Sequence, residues 1–303
     1  MKAFLVEFVS FGLKQAFACL FAASFMLCLV LSKHLPLLGL HRYDFLCLAA
    51  IALQAMMLAT GLETWREACV LCAFHFVGFC LEAFKTQPGI GAWSYPEPGW
   101  LKLMGVPLYS GFMYASVASY MCQSWRLLRL RLVGYPSLWV AVPLGIAIYA
   151  NFFTLHWLPD ARWALVALVF LVFGRTTVLY RPWEKDRRMP LVLSFLLIGF
   201  FIWIAENFST YFGGWNYPHQ RDGWQVVHWR ILSSWFLMTI VSFVLVASLK
   251  HAIEADAEPA PAPRWPGIAR IFGTARASAP AVPGRNPSLL ETGDSYNPPI
   301  RVQ

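Results

Sequence analysis

Charge is what this sequence has least of. Lys, Arg, Asp and Glu make up 13% of its 303 residues, about half the one quarter expected of a soluble domain. Hydrophobic residues make up 58% and aromatics 16%, so a large soluble core is excluded and lipid is the expected surrounding. The seven cysteines, Cys19, Cys28, Cys47, Cys69, Cys72, Cys80 and Cys122, contain one C-x-x-C at Cys69 and Cys72 with no second pair. No disulfide framework or zinc ribbon is implied, and thiols in apolar segments pack as small hydrophobes. No H-x-x-x-H spacing unites His34, His156, His219 and His228, so neither a metal nor an organic cofactor is expected. The net charge of +8 comes without a nucleic-acid-binding motif and is read as a topology signal plus a basic tail, with no nucleic acid as partner. The first apolar block lacks a small-residue cleavage site and is expected to be a retained helix rather than a signal peptide.

What is present is apolar sequence in blocks. They run from Phe11 to Leu31, Asp44 to Gly61, Ala68 to Phe84, Gly105 to Trp125, Ser137 to His156, Trp163 to Tyr180, Met189 to Thr210 and Val227 to Leu249. At a rise of about 1.5 Å per residue each can cross a hydrocarbon core of about 30 Å. The expectation is an all-α polytopic membrane helix bundle with about eight transmembrane helices. Residues 1–250 form the transmembrane domain, and 251–303, which hold nine of the twenty prolines, form a disordered cytoplasmic tail rich in Pro, Ala and Arg. The dense basic clusters, Arg126 to Arg131 and Arg181 to Arg188, fall on one side and place both termini in the cytoplasm.

An internal repeat carries the functional reading. Glu82-Ala83-Phe84-Lys85-Thr86 leads to Gly91-Ala92-Trp93-Ser94-Tyr95-Pro96, and 124 residues later Glu206-Asn207-Phe208-Ser209-Thr210 leads to Gly213-Gly214-Trp215-Asn216-Tyr217-Pro218. His34 and Arg42 correspond to His156 and Arg162 at offsets of 122 and 120. An offset shared by separate motifs implies two parallel four-helix repeats, about 1–131 and 132–250, related by an axis along the membrane normal. The shared polar and aromatic residues then gather in an outward-facing vestibule.

Within each motif Glu and Thr lie four apart on one helix face, so the Thr86 and Thr210 hydroxyls are expected to donate to the carboxylates. His75, seven residues before Glu82, shares that face and is a candidate to exchange protons with it. A glutamate at the edge of a span needs protein or water around it, which makes Glu82, Glu206 and His75 the candidate catalytic residues. Trp93, Tyr95, Trp215, Tyr217, Thr86, Thr210, His34, His156, Arg42 and Arg162 are the candidate substrate-binding residues. The alternative for the same residues is structural: an aromatic belt at the headgroup layer, with the glutamates bridging helices.

Several stretches resemble one family. They are His41-Arg42-Tyr43-Asp44-Phe45, Gly61-Leu62-Glu63-Thr64, Glu82 to Thr86, Trp93 to Glu97, Gly105 to Tyr114, Asn151 to Thr154, Ile202 to Asn207 and Trp215 to Pro218. Together they resemble the YoaT-like family of bacterial membrane proteins, a domain of unknown function. The resemblance covers roughly residues 1 to 250 and implies a multi-pass protein of the bacterial inner membrane. A second likeness, at the level of fold alone, is to the membrane carotenoid cyclases and hydratases, although Pro96-Glu97-Pro98 lacks the acidic pair that follows in the cyclases.

Two classes of activity fit. In the first, the acidic pair protonates or deprotonates a lipid or isoprenoid held among aromatic walls. In the second, the halves rock around a small solute, with Arg42 or Arg162 as counter-charges. A structural or assembly subunit is the third reading. The enzyme is favoured because charged residues sit near span ends and breaks within spans are sparse, Pro143 and Gly145 excepted. Membrane lipids and an apolar small molecule are the expected partners, and oligomeric state is left open.

Overall fold

The computed structural model describes residues 2–37 and 39–255, with side chains through residue 250. The tail expected to be disordered, 251–303, lies outside the described side chains. Among the described residues the chain forms nine α-helices, five short strands and one 3-10 turn. The helices are α1 (Lys2–Ala18), α2 (Leu20–Leu31), α3 (Arg42–Ala59), α4 (Trp65–Lys85), α5 (Ser110–Leu127), α6 (Leu138–Thr154), α7 (Arg162–Phe173), α8 (Leu191–Tyr211) and α9 (Ile231–Ala255).

Four of these helices, α3, α4, α8 and the segment Ile231–Lys250 of α9, are long and apolar enough to cross a membrane. The pair α1 and α2, bent by 63° at Cys19, would make a fifth if it is one span. The first apolar block is therefore a bent pair reaching back to Lys2, not one helix from Phe11. The helices α6 and α7 are shorter, at 17 and 12 residues.

The block from Trp163 to Tyr180 is helical only to Phe173. Its last part enters a small antiparallel sheet of β3 (Arg131–Val133), β4 (Thr177–Tyr180) and β5 (Arg187–Pro190), in the order β3-β4-β5. The chain is mostly helical, as expected, and this sheet and the hairpin of β1 (Lys102–Leu103) and β2 (Val106–Pro107) are its short β additions. The physical reason lies in Thr176-Thr177-Val178, whose branched β-carbons disfavour helix and fit an extended strand. Asp186 ties the sheet by accepting from Arg131 at 2.6 Å and Arg181 at 2.5 Å. Glu7 of α1 holds Arg187 bidentately at 2.5 and 2.6 Å.

Two apolar clusters organise the interior. One joins α4 to α9 around Leu71, Ile148, Val169, Phe195 and Ile240. The other joins α2, α3 and the start of α5 to the loops that follow α4 and α8, around Leu29, Tyr43, Leu46, Tyr95, Tyr109 and Trp215. Close approach depends on missing side chains: a β-carbon on Gly78 of α4 would overlap the Tyr114 ring of α5, and one on Gly199 of α8 would lie 3.0 Å from the Phe236 backbone of α9. Large apolar side chains also face outward, Trp139 and Leu171 among them.

A carboxylate pair caged by aromatic donors

Glu82 lies in the last turn of α4 and Glu206 in the second-last turn of α8, each on the buried face of its helix; both are 3% exposed. Beyond each helix the chain turns back through a residue with positive φ, Gly91 at 55° and Gly213 at 69°, a conformation that glycine adopts without strain. That turn returns the aromatic loop over the carboxylate. Trp93 Nε1 donates to Glu82 Oε2 at 2.6 Å and the Tyr95 hydroxyl donates to the same oxygen at 2.7 Å. Glu82 Oε1 accepts from the Tyr114 hydroxyl of α5 at 2.9 Å. Near the end of α8 the Tyr217 hydroxyl donates to Glu206 Oε1 at 2.5 Å and Trp235 Nε1 of α9 donates to Oε2 at 2.6 Å.

The two cages interlock. Trp93, on Glu82, packs edge-on against Tyr217, on Glu206, with ring centroids 6.1 Å apart. Tyr114, on Glu82, meets Trp235, on Glu206, at 6.3 Å. Two hydrogen-bonded carboxylates and two ring contacts thus close one circuit of six side chains. The loops themselves pair: Ser94 and Asn216 exchange both backbone hydrogen bonds at 2.9 Å in an isolated antiparallel bridge. All donors in the circuit are neutral, and among the described residues neither carboxylate forms an ion pair. Burial first, and then the neighbouring carboxylate, push the Tyr95 and Tyr217 hydroxyls well above the ordinary tyrosine range, so both stay protonated as donors.

Other expected site residues take different places. Thr86 donates to the backbone carbonyl of Glu82 at 2.9 Å and Thr210 to that of Asn207 at 3.1 Å. Neither reaches a carboxylate, because a hydroxyl three or four residues on bonds back to a backbone carbonyl of the preceding helical turn. His75 makes no bond to Glu82: its ring fills the space beside Gly111, where a β-carbon would meet it at 2.6 Å, and packs edge-on against Phe112 at 4.6 Å. Trp215 is buried beside Tyr217 and is not on Glu206; Trp235 supplies the indole donor instead. His34 is exposed and joins none of these bonds.

Arg42 spends its guanidinium on five acceptors. They are Ser32 Oγ at 2.8 Å, Glu97 Oε1 at 2.7 Å and the carbonyls of Gly213 at 3.0 Å, Phe212 at 2.6 Å and Leu29 at 3.3 Å. It ties α2 and α3 to both aromatic loops. Its counterpart Arg162 pairs with Asp160 at 3.3 Å and donates to Ser233 Oγ at 3.2 Å. His156 meets Lys85 Nζ at 2.8 Å.

Tyr114, Trp235 and Lys85 are the members that sequence reasoning missed. A signal existed for the first two: they are 121 residues apart and each is the fifth residue of its helix.

At the opposite end of α4 a second buried polar group forms. The Thr64 backbone N–H donates to Glu67 Oε2 at 3.0 Å and the Glu67 N–H donates to Thr64 Oγ1 at 3.2 Å, a capping box. Glu67 also pairs with Arg126 at 3.5 Å and Lys250 at 3.2 Å. Beside it Glu63 accepts from Gln54 Nε2 at 2.5 Å and from the Ser119 hydroxyl.

Comparison with known proteins matches residues 7–243 to a family described as a protein of unknown function, DUF817. The chain is 52% identical over 248 residues to the uncharacterized protein YoaT of Bacillus subtilis (strain 168), which covers 82% of this chain and 93% of that relative. No solved structure matches it significantly.

Proposed function

The chain belongs to the DUF817 family, whose description assigns no activity, and from its own residues we propose an enzyme of the bacterial inner membrane that performs acid–base chemistry on a lipid or isoprenoid through Glu82 and Glu206. The proposed frame has eight spans in two parallel repeats, with both termini cytoplasmic. Support for the repeats comes from matched bonds: each glutamate takes a tyrosine from the following loop and an aromatic donor from the fifth position of the next helix. Support for the orientation comes from the sheet and its edge, where Arg131 and Arg181 meet Asp186 and Arg187 meets Glu7 of α1. The twelve residues of α7 reach only about 18 Å, so crossing there requires local thinning of the bilayer.

The observation that carries the chemistry is the pair of buried carboxylates held by neutral donors alone. A cation would fix their charge; without one, both protonation states remain available to a reaction. The aromatic walls suit an apolar substrate, and the oriented N–H and O–H groups fix each carboxyl as a catalytic acid must be fixed. Rocking transport is less well supported, because the Ser94–Asn216 backbone pair and the Arg42 bonds join elements of both halves and would have to break on each cycle.

The test is lipid and small-metabolite profiling of a deletion strain complemented with wild type, Glu82→Gln or Glu206→Gln at matched membrane abundance. An altered lipid or isoprenoid restored by wild type and by neither variant is the expected result. Restoration by both variants removes the glutamates from the chemistry, and a redistributed water-soluble metabolite with unchanged lipids moves the reading to transport.

A further inference from the structure

The two halves differ in charge at one corresponding place, and the difference leaves a buried cation under-used. Lys85, three residues past Glu82, is 6% exposed. At the equivalent position in α8 stands Ser209, whose hydroxyl meets the Met26 sulfur at 3.2 Å. An ammonium has three N–H donors and no acceptor. Among the described residues Lys85 Nζ has one hydrogen-bond partner, His156 Nε2 at 2.8 Å, so two donors lack a protein acceptor. Buried ammonium groups are normally paired, because desolvation leaves an unpaired one costly.

The surroundings of Lys85 do not supply the missing acceptor. Arg162 and Asp160 are its electrostatic neighbours, but Asp160 is engaged by Arg162 at 3.3 Å and by Asn151 Nδ2 at 3.3 Å. Burial, then the Lys85 charge, hold His156 below the ordinary imidazole range, so the ring is neutral and Nε2 accepts from the ammonium. In the other half Arg42, the counterpart of Arg162, is satisfied by its five acceptors. Among the described residues, a buried cation with spare donors therefore lies on the Lys85 side and not beside Arg42. An aromatic wall borders them: the Phe84 ring packs 4.8 Å from Phe153, 5.6 Å from Trp157 and 5.9 Å from His156, and Trp157 is exposed.

We propose that Lys85, His156 and Arg162 bind the phosphate head of an amphiphile whose chain lies along Phe84, Phe153 and Trp157. Phosphate offers the charge and the several acceptor oxygens that the unused donors require. The proposal rests on the acid–base reading only in naming the head group its substrate carries, one turn from Glu82.

The experiment uses the full chain in neutral maltoside micelles and follows phosphorus NMR of dodecyl phosphate, with inorganic phosphate in a parallel arm. Wild type should broaden the dodecyl phosphate signal saturably. Lys85→Gln and Arg162→Gln should each weaken binding about tenfold or more, Lys85→Arg should stay within about threefold, and Lys33→Gln, an exposed lysine of the other half, should bind as wild type does. Should Lys85→Gln fail to fold, Arg162→Gln, at a side chain 20% exposed, carries the test. Equal binding by wild type and by a folded Lys85→Gln or Arg162→Gln overturns the proposal. Inorganic phosphate bound as tightly as dodecyl phosphate overturns the amphiphile and leaves free phosphate as the ligand. Binding that holds while the glutamate variants restore the lipid profile retires the acid–base reading alone; lost binding with an unrestored profile retires the head-group site alone.

Discussion

Glu67 and Glu82 sit on one helix, fifteen residues apart, and are equally buried at 2% and 3% exposed. Glu67 is met by two cations and a helix cap; Glu82 is met by an indole and two phenols. Burial alone therefore does not mark a functional carboxylate. Ion-paired and capping, Glu67 is committed to its charge and holds α4, α5 and α9 together. Glu82 is equally well bonded but pairs with no cation among the described residues, and its partners reach across to a second carboxylate arranged in the same way.

The largest expected effect tests the committed member. Glu67→Ala removes the acceptor for Arg126 and Lys250 and half of the capping box. Breaking a fully buried pair costs about 3–5 kcal/mol, but the Arg126 side chain is 39% exposed, which lowers the expected loss to about 2–3 kcal/mol. Unfolding in detergent measures it, and a loss no larger than that of a surface substitution would mean that Glu67 does not clamp these helices.

A smaller loss tests the uncommitted member. Tyr114→Phe takes one donor from Glu82 and keeps the ring, so stability should fall by about 1–2 kcal/mol. Trp235→Phe should do the same at Glu206. Because the two rings touch, the double variant should depart from additivity by about 0.5–1 kcal/mol. Strict additivity would separate the two cages and break the circuit into independent halves.

How much of this was legible in sequence follows from the kind of contact. Hydropathy located every helical block, because burial and lipid exposure both demand long apolar runs. It failed at Thr177–Tyr180, where the apolar count outweighed the branched β-carbons, and at Cys19, where no Gly or Pro announces the bend. The carboxylates and their loops were legible through the offset of 122 to 124 residues. Tyr114 and Trp235 share that signal but carry no charge to draw attention. The Ser94–Asn216 pairing is a backbone contact between distant loops, and side-chain identity does not encode it. Lys85 reads in sequence as a topology charge; only its 6% exposure separates it from the surface lysines.

The smallest effect belongs to Glu63, beside Glu67 but without an ion pair among the described residues. Burial is the main influence on its carboxyl and pushes it above the ordinary value; the Glu67 charge adds to this, while the Ser119 and Gln54 hydrogen bonds and the Arg126 charge oppose it. A carboxyl raised in the fold binds its proton more tightly there than in the unfolded chain. Its contribution is therefore fully present below the ordinary carboxylate range and is lost as pH rises through the raised value. At neutral pH the buried charge of Glu63 weighs against folding, and Glu63→Gln should raise stability by about 1 kcal/mol or less. The new amide need not lose its neighbours, because among the described residues Gln54 Oε1 has no partner and a flipped Gln54 amide can accept where it now donates. The gain over wild type should open as pH rises from acid to neutral and close again on acidification. A gain of the same size at all pH values would assign it to packing, and a loss at neutral pH would show that Glu63, like Glu67, is committed to its charge.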